Sequence, residues 1–353
     1  MTARIITTIG PSSSKTEILE ALRDSNLVDT FRLNLSHLNF ESLTKQVAHF
    51  KQHNIKPALD TQGAQLRVSH NYGEKFRVEI GDNIILSNEI GGSTNFKVLI
   101  PNHPEIIKQL EVGDELKIDF NGAVCKVITI EDQKVMLVAI NGGDILQNRA
   151  VDVTGKKLKL NPLTDFDIQA LNMANDWNVE EVFLSFANNA SDVKHCRQLL
   201  PPQTNVISKI ESINGINNLR EIAIQSDAIL IDRGDLSREV GIGRLPILVQ
   251  SIIKVSKECN TPVYVATNIL DTMIENSLPS RAEVSDLYSL LKMGVNGIVL
   301  AAEVAIGRHP VQSVQLVNFF RKLHAYESDG FAILPDLIAS LKEEISEPLK
   351  SWL

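Results

Sequence analysis

The chain has 353 residues, 43% of them hydrophobic and 22% charged, with a formal net charge of −8. That is too long for one average domain; a (β/α)8 barrel of about 250 residues with an insert of about 90 accounts for it. The negative balance argues against nucleic acid or an anionic membrane surface as a partner, because the overall field attracts neither.

Three cysteines, Cys125, Cys196 and Cys259, are scattered and odd in number, and no CxxC or Cys/His cluster occurs. They read as buried or idle thiols in a reducing compartment. The start, MTARIITTIGPSSS, has neither the basic opening nor the long apolar stretch of a signal peptide. No window approaches 18 apolar residues, so no spanning helix is expected. A cytoplasmic location follows by elimination.

In chain order, Arg4–Gly10 (RIITTIG) reads as a buried strand. Ser14 and Glu17 form an S-x-x-E pattern ahead of Ile18, Leu19 and Leu22, which predicts a capping box and a helix. Asp29–Asn34 is the second strand, Phe40–His53 a helical stretch and Lys56–Asp60 the third strand. From about Val68 to about Val153 the hydrophobic period is closer to two. FRVEIGDNIILS, FKVLI, ELKIDF, AVCKVITI and KVMLVAI are β-rich runs split by Gly, Asn and Asp, so this is an all-β insert. The strand–helix rhythm returns at Asp165. EEVFLSFA, NVISKIES, AILIDRGDL, PVYVATNIL and GIVLAAEVA are five further strands, each followed by a helical stretch. Three plus five makes eight. Near-continuous apolar strands separated by helices mean a covered parallel sheet, and eight of them are best satisfied by a closed TIM barrel; an open doubly wound sheet is the alternative. The expected organisation is a barrel from 1–67 and 154–328, an inserted lid domain over 68–153, and a helical tail over 329–353.

The polar residues follow the apolar runs, where barrel chemistry gathers. Strand two ends in Arg32, Asn34, Ser36 and His37, and strand three in Asp60, Thr61 and, past Gly63, Arg67. Strand five carries Lys209 and Glu211. Strand six ends in Asp232, Arg233, Gly234 and Asp235, strand seven in Thr267 and Asn268, and strand eight near Glu303. Glu211 and Asp235 come from adjacent strands. Two such carboxylates about 5 Å apart repel by roughly 3 kcal/mol at an effective dielectric of 20. A divalent hard cation offsets that, and Mg²⁺ fits when water, phosphate or carboxylate oxygens complete its shell. Arg32, Arg67 and Lys209 are then available to an anion. This is the equipment of phosphoryl transfer: cations on the transferring group, a metal bridge and strict alignment. Gly234 lets backbone approach a ligand, and a helix starting there offers N–H groups to an anion.

Each residue has a plainer explanation. Lys209 with Glu211 is a structural ion pair in most proteins, and Asp235 after Gly234 can simply cap a helix. The joint pattern outweighs these, because most strand ends carry charged or hydroxyl groups at one end. Gly10–Thr16 (GPSSSKT) has the look of a P-loop, but it lacks the Gly before Lys15 and is one residue short. Arg233–Asp235 spells the adhesion tripeptide RGD and is better read as rim. Asn141–Gly143 (NGG) reads as a tight turn.

TTIGPSS, RLNLSH, LDTQGAQLR, NGG, LSFA, SKIES, RGDL, VATNIL, PSRAEVSD and the A-E-x-A of LAAEVA occur in an order and spacing that closely resemble pyruvate kinase, over about residues 3–325. The resemblance implies transfer of the phosphoryl group of phosphoenolpyruvate to ADP, giving pyruvate and ATP. By position it implies that Arg32 and Arg67 neutralise phosphoryl oxygens and that Lys209 sits on the transferring phosphate. Glu211 and Asp235 would bind Mg²⁺ (or Mn²⁺). Backbone groups of Arg233, Gly234 and Asp235, together with Ser185, would hold the substrate, and Thr267 would lie in the path of the proton that completes pyruvate. Asn34, Ser36, Asp60 and Thr61 match a K⁺ site. Arg32, Asn34 and Arg149 fall on the nucleotide side. The insert matches a mobile lid whose closure excludes water.

The departures from the family pattern are specific. Gln62 and Ala64 replace Lys and Pro, and Gln65 stands where Glu or Lys goes with potassium dependence or independence. Asp232 replaces Ala, Asn268 replaces Gln, and Ala301–Ala302 replace Ser-Gly. The insert's paired aspartates become Asp119 and Phe120, or Phe120 and Asn121. Arg149 stands for a Lys, keeping the charge but not the shape, and Asp152 for an Asn. The family's C-terminal domain is not matched, so the usual tetramer is not expected and a homodimer or monomer is. Two other functions stay open: a metal-dependent 2-oxo acid lyase or decarboxylase on the same barrel, and a non-catalytic regulatory relative.

Overall fold

The computed structural model describes residues 2–88, 96–119, 122–131, 134–328 and Leu349. The helical tail expected over 329–353 therefore lies, Leu349 apart, outside the described residues, as do Phe120 and Asn121. The chain divides into two compact units, one of Met1–Thr61 with Phe166–Leu353 and one of Gln62–Asp165.

The first unit is a closed barrel of eight parallel strands. They are β1 (Arg4–Thr8), β2 (Thr30–Asn34), β3 (Pro57–Asp60), β4 (Glu181–Leu184), β5 (Asn205–Ile210), β6 (Ala228–Asp232), β7 (Val263–Ala266) and β8 (Gly297–Leu300). Each pairs with its neighbours in sequence, and β8 closes on β1 with Arg4 opposite Gly297. Ile6, Ala58, Phe183, Ile207, Leu230, Ala266 and Val299 form one buried cluster drawn from seven of the strands. Burying each of the larger of these side chains, such as Ile6, Phe183 or Leu230, contributes about 1.5–3 kcal/mol.

Helix Phe40–Gln52 starts at a capping box in which Asn39 Oδ1 accepts from Ser42 N, and helix Arg281–Lys292 starts at a second one, Ser280 with Glu283. The box expected from Ser14 and Glu17 does not form. Its helix is Thr16–Asp24, with Lys15 at the N-cap and no side-chain cap. Ser13 and Ser14 both donate their backbone N–H to Gly10 O, and Gly10 N donates to Ser13 Oγ. This self-contained turn takes the serines before the helix can. Gly10 is required there, because a Cβ would lie 2.8 Å from both Cβ and O of Ala305.

The second unit is a closed β barrel of seven strands, taken in the order Lys134–Asn141, Asn83–Ser87, Lys97–Pro101, Arg67–Ser69, Arg149–Val153, Glu115–Ile118 and Val124–Glu131. A separate two-stranded sheet pairs Gly143–Leu146 with Lys75–Val78. Val135, Leu137 and Ala139 show the period-two burial read from the sequence. The flanks of this unit are tied to it: Asn102 Nδ2 donates to Gln65 O at 3.0 Å and Asn161 N to Glu105 Oε1 at 3.1 Å. The tight turn expected at Asn141–Gly143 is absent. One strand ends at Asn141 and the next begins at Gly143, and neither glycine has positive φ. Both are needed for close passage of backbone instead, since a Cβ on Gly142 would lie 2.9 Å from Val78 O and one on Gly143 2.7 Å from Gly122 C. Among the described residues no helix is long and apolar enough to cross a membrane.

Candidate active site

Alternation along the strands builds the site. Side chains at i and i+2 share a face. Ile207 of the apolar cluster is followed at that spacing by Lys209 and then Glu211, Leu230 by Asp232, Phe183 by Ser185, Ala58 by Asp60 and Ile6 by Thr8. The same face that is apolar lower in the barrel thus turns polar at the carboxyl ends.

Lys209 is the centre of this layer. Its Nζ lies 3.0 Å from Glu211 Oε1, 3.2 Å from Asp60 Oδ1 and 3.5 Å from Asp232 Oδ2, and it donates to Ser185 Oγ at 3.1 Å. Asp60 also pairs with Arg32 at 2.9 Å, and Arg32 forks onto Thr8 Oγ1 at 2.6 and 3.0 Å. Arg32, Asp60, Lys209, Glu211 and Asp232 are all buried. Burial works against the Lys209 charge, but Asp60, Glu211 and Asp232 together hold its pKa above the ordinary value. The Glu211 carboxyl is pushed up to about 8, chiefly by burial, with Asp232 and Asp235 adding to it against the pull of Lys209.

Glu211, Asp232 and Asp235 each offer a carboxylate oxygen, and the three lie within 4.8 Å of one another. Their chemistry fits a hard divalent cation, which takes oxygen ligands. Arg32 and Lys209, with Arg238 3.5 Å from Asp235, stand against Asp60, Glu211, Asp232 and Asp235, so acidic groups outnumber basic ones. Two buried atoms, Glu211 Oε1 and Arg32 Nη1, hold ion pairs but no hydrogen bond. The first suits a cation and the second an anion. Glu211 Oε2 is held in place by Phe186 N at 2.6 Å.

The turn after β7 carries backbone strain. Thr267 and Asn268 have φ of 65° and 53°, which for a β-branched residue costs on the order of 1–3 kcal/mol. Arg233 holds the turn, with Nη2 donating to Thr267 O at 2.8 Å and Asn268 O at 2.7 Å, and Nη1 meeting Asp286 at 2.6 Å. The Arg233 side chain is therefore a structural clamp. The N–H of Gly234, expected to be available at a helix start, instead donates to Thr267 Oγ1 at 2.7 Å, and the helix begins one residue earlier, at Arg233. A Cβ on Gly234 would meet Asp232 Oδ1 and Thr267 Oγ1 at 3.5 Å, an ordinary contact. Neither space nor φ in the fold demands glycine there.

Asn34 and Asp60 are register partners across β2 and β3, and Asn34 Oδ1 accepts from Ser36 N at 2.9 Å. Thr61 Oγ1 accepts from Ser185 N at 3.0 Å. Glu303, buried, turns to backbone instead, accepting from Leu270 N and Ala301 N. Arg67 and Arg149 belong to the second unit. There Arg67 Nη1 donates to Asn148 O at 3.0 Å, and Arg149 Nε lies 3.4 Å from Asp119. The sequence places Asp232 at the carboxyl end of strand six as a departure that adds a carboxylate beside Asp235, and the structure brings it within 4.8 Å of both Glu211 and Asp235.

Residues 1–314 match the family model "Pyruvate kinase, barrel domain". Pyruvate kinase of Thermotoga maritima is 31% identical over 355 residues, covering 97% of this chain and 75% of that protein. The Borreliella burgdorferi pyruvate kinase is 30% identical over 342 residues, covering 93% and 71%. The crystal structure of Cryptosporidium parvum pyruvate kinase matches with a TM-score of 0.81 at 25% identity, over 98% of this chain and 74% of that one.

Proposed function

The chain belongs to the pyruvate kinase family, and on that premise we propose that it transfers the phosphoryl group of phosphoenolpyruvate to ADP at the carboxyl-end rim of the barrel. The observation that carries this is the buried ammonium of Lys209 amid Asp60, Glu211 and Asp232, with Arg32 beside it. In the reaction the bond between phosphorus and the enol oxygen breaks, and a bond from phosphorus to a terminal ADP oxygen forms. The enol oxygen keeps the electron pair. Lys209 is placed to stabilise that developing charge, and Arg32 to neutralise phosphoryl oxygens. Glu211 and Asp235 would hold Mg²⁺ or Mn²⁺, which when bound supplies positive charge to substrate carboxylate and phosphoryl oxygens. Asn34, Ser36, Asp60 and Thr61 offer oxygens of the kind K⁺ takes. The enolate then takes a proton at carbon to give pyruvate, with Thr267 Oγ1 on the proton's path. Backbone at Arg233–Asp235 and Ser185 would orient the substrate, and Arg67 and Arg149 are assigned to phosphoryl and nucleotide oxygens by resemblance.

The test is pyruvate formation from phosphoenolpyruvate, ADP and Mg²⁺, measured with and without K⁺ in purified, folded protein. Turnover lost on omitting ADP supports the proposal; no turnover under either condition sinks it. Turnover of a 2-oxo acid without nucleotide would instead favour a metal-dependent lyase, a reading that Asp232 beside Lys209 keeps in view. Binding of oxalate and Mg²⁺ without ADP binding or turnover would favour a regulatory relative.

A further inference from the structure

We propose that Asp232 is a third carboxylate ligand of the divalent-cation site, and that it shifts the site toward metal and away from highly charged anions. This rests on the reading of Glu211 and Asp235 as metal ligands. The carboxylate oxygens of all three lie within 4.8 Å of one another. Glu211, only 1% exposed, is held from two sides, Oε2 by Phe186 N at 2.6 Å and Oε1 by its ion pair with Lys209 at 3.0 Å, so its carboxylate is fixed facing the cluster. Asp232 is oriented for the part. Its Oδ1 lies 3.2 Å from Thr267 Oγ1, whose single proton it shares with Ala266 O at 2.6 Å, an outer contact of the kind that orients a ligating carboxylate. Its Oδ2 stands 3.5 Å from Lys209 Nζ, longer than an ordinary hydrogen bond, and so keeps acceptor capacity.

Charge gives the consequence. Arg32, Lys209 and Arg238, which lies 3.5 Å from Asp235, face Asp60, Glu211 and Asp235, and to this set Asp232 adds one further negative charge. With a neutral residue at that position the cluster, with or without the cation, is more positive by one charge. Asp232 thus raises attraction for the metal before any organic ligand arrives. It also lowers by one the positive charge that a phosphorylated enol acid would meet, so small, weakly charged 2-oxo acids lose less affinity than multiply charged ones. Three protein carboxylates further suit Mn²⁺ alongside Mg²⁺.

The experiment titrates Mn²⁺ into metal-free full-length protein, reading free Mn²⁺ by electron paramagnetic resonance. Wild type, Asp232→Ala, the isosteric Asp232→Asn and Glu211→Gln are compared. Oxalate is then titrated calorimetrically into the Mn²⁺-saturated proteins. Loss of an outer contact alone typically weakens a metal site by about 10- to 100-fold. Asp232→Ala and Asp232→Asn should therefore weaken Mn²⁺ at least that much, and Asp232→Ala should bind oxalate more tightly than wild type. Unchanged Mn²⁺ affinity in both Asp232 variants, with Glu211→Gln impaired, overturns this proposal alone. Unchanged or weaker oxalate binding in Asp232→Ala overturns the anion half. No Mn²⁺ binding by wild type, or full binding by Glu211→Gln, overturns the metal-site reading beneath it as well. Asp232→Asn keeps shape and one oxygen, so it carries the test where the Ala variant fails to fold.

Discussion

Replacing Lys209 by Met keeps much of the side chain's length and deletes its charge. At 3.0 Å and an effective dielectric of 20, its contact with Glu211 alone amounts to about 5 kcal/mol before desolvation. Burial of the ammonium cancels much of that, and removing one partner of a buried ion pair costs about 3–5 kcal/mol. Three carboxylates face this ammonium, so the upper part of that range is expected for metal-free protein in urea unfolding. Binding at a hundred times the dissociation constant adds about 2.7 kcal/mol to a protein that binds only when folded. Mg²⁺ should therefore return much of the variant's stability. It should not return activity: losing a charge-stabilising group costs about a hundredfold to a thousandfold in turnover. The assay pairs urea unfolding, with and without Mg²⁺, with coupled pyruvate formation. A variant that turns over within a few-fold of wild type, or that unfolds at the same urea concentration without metal, would refute the role given to Lys209.

His70 is held below its usual pKa, first by burial, with Lys97 adding to the effect against its bond to Ile145 O. Its Nδ1 accepts from Tyr72 N at 3.2 Å, which leaves Nε2–H to donate to Ile145 O at 3.1 Å. The folded state thus disfavours the extra proton, so the contribution is full above the unfolded value of 6.5 and is lost as pH falls through the folded one. Unfolding midpoints should drop on acidification from neutrality, and His70→Asn should flatten that part of the profile; parallel profiles would contradict it. Gly10→Ala should lower the thermal midpoint through overpacking worth about 1–3 kcal/mol, because the new Cβ meets Ala305 at 2.8 Å; an unshifted melt would show that this junction yields. Arg233→Lys cannot fork onto Thr267 O and Asn268 O, and should cost about 1–3 kcal/mol. Its turnover should fall with little change in Mn²⁺ affinity, and wild-type turnover would remove Arg233 as the clamp of the β7 turn.

Much of the barrel was legible because strand and helix periods are local. RIITTIG, AILID and PVYVA read as buried strands whatever surrounds them, and they became β1, β6 and β7. Local signals failed where two explanations share one residue type. Glycine marks both turns and close backbone passage, so Asn141–Gly143 was read as a turn and proved extended. Ser14 and Glu17 had the spacing of a capping box, but Gly10 O captured the serine N–H groups first.

The site divides the same way. Chain chemistry alone determined the eight strand–helix units and the residue types at their carboxyl ends, since both are properties of short segments. Only the tertiary structure decided partners. Asp60 meets both Arg32 and Lys209, and Lys209 meets Asp232, because barrel closure and the parity of alternation bring β2, β3, β5 and β6 to one layer. Which carboxylates then share one ammonium, and how strongly burial perturbs them, depends on distances that no local stretch of sequence contains.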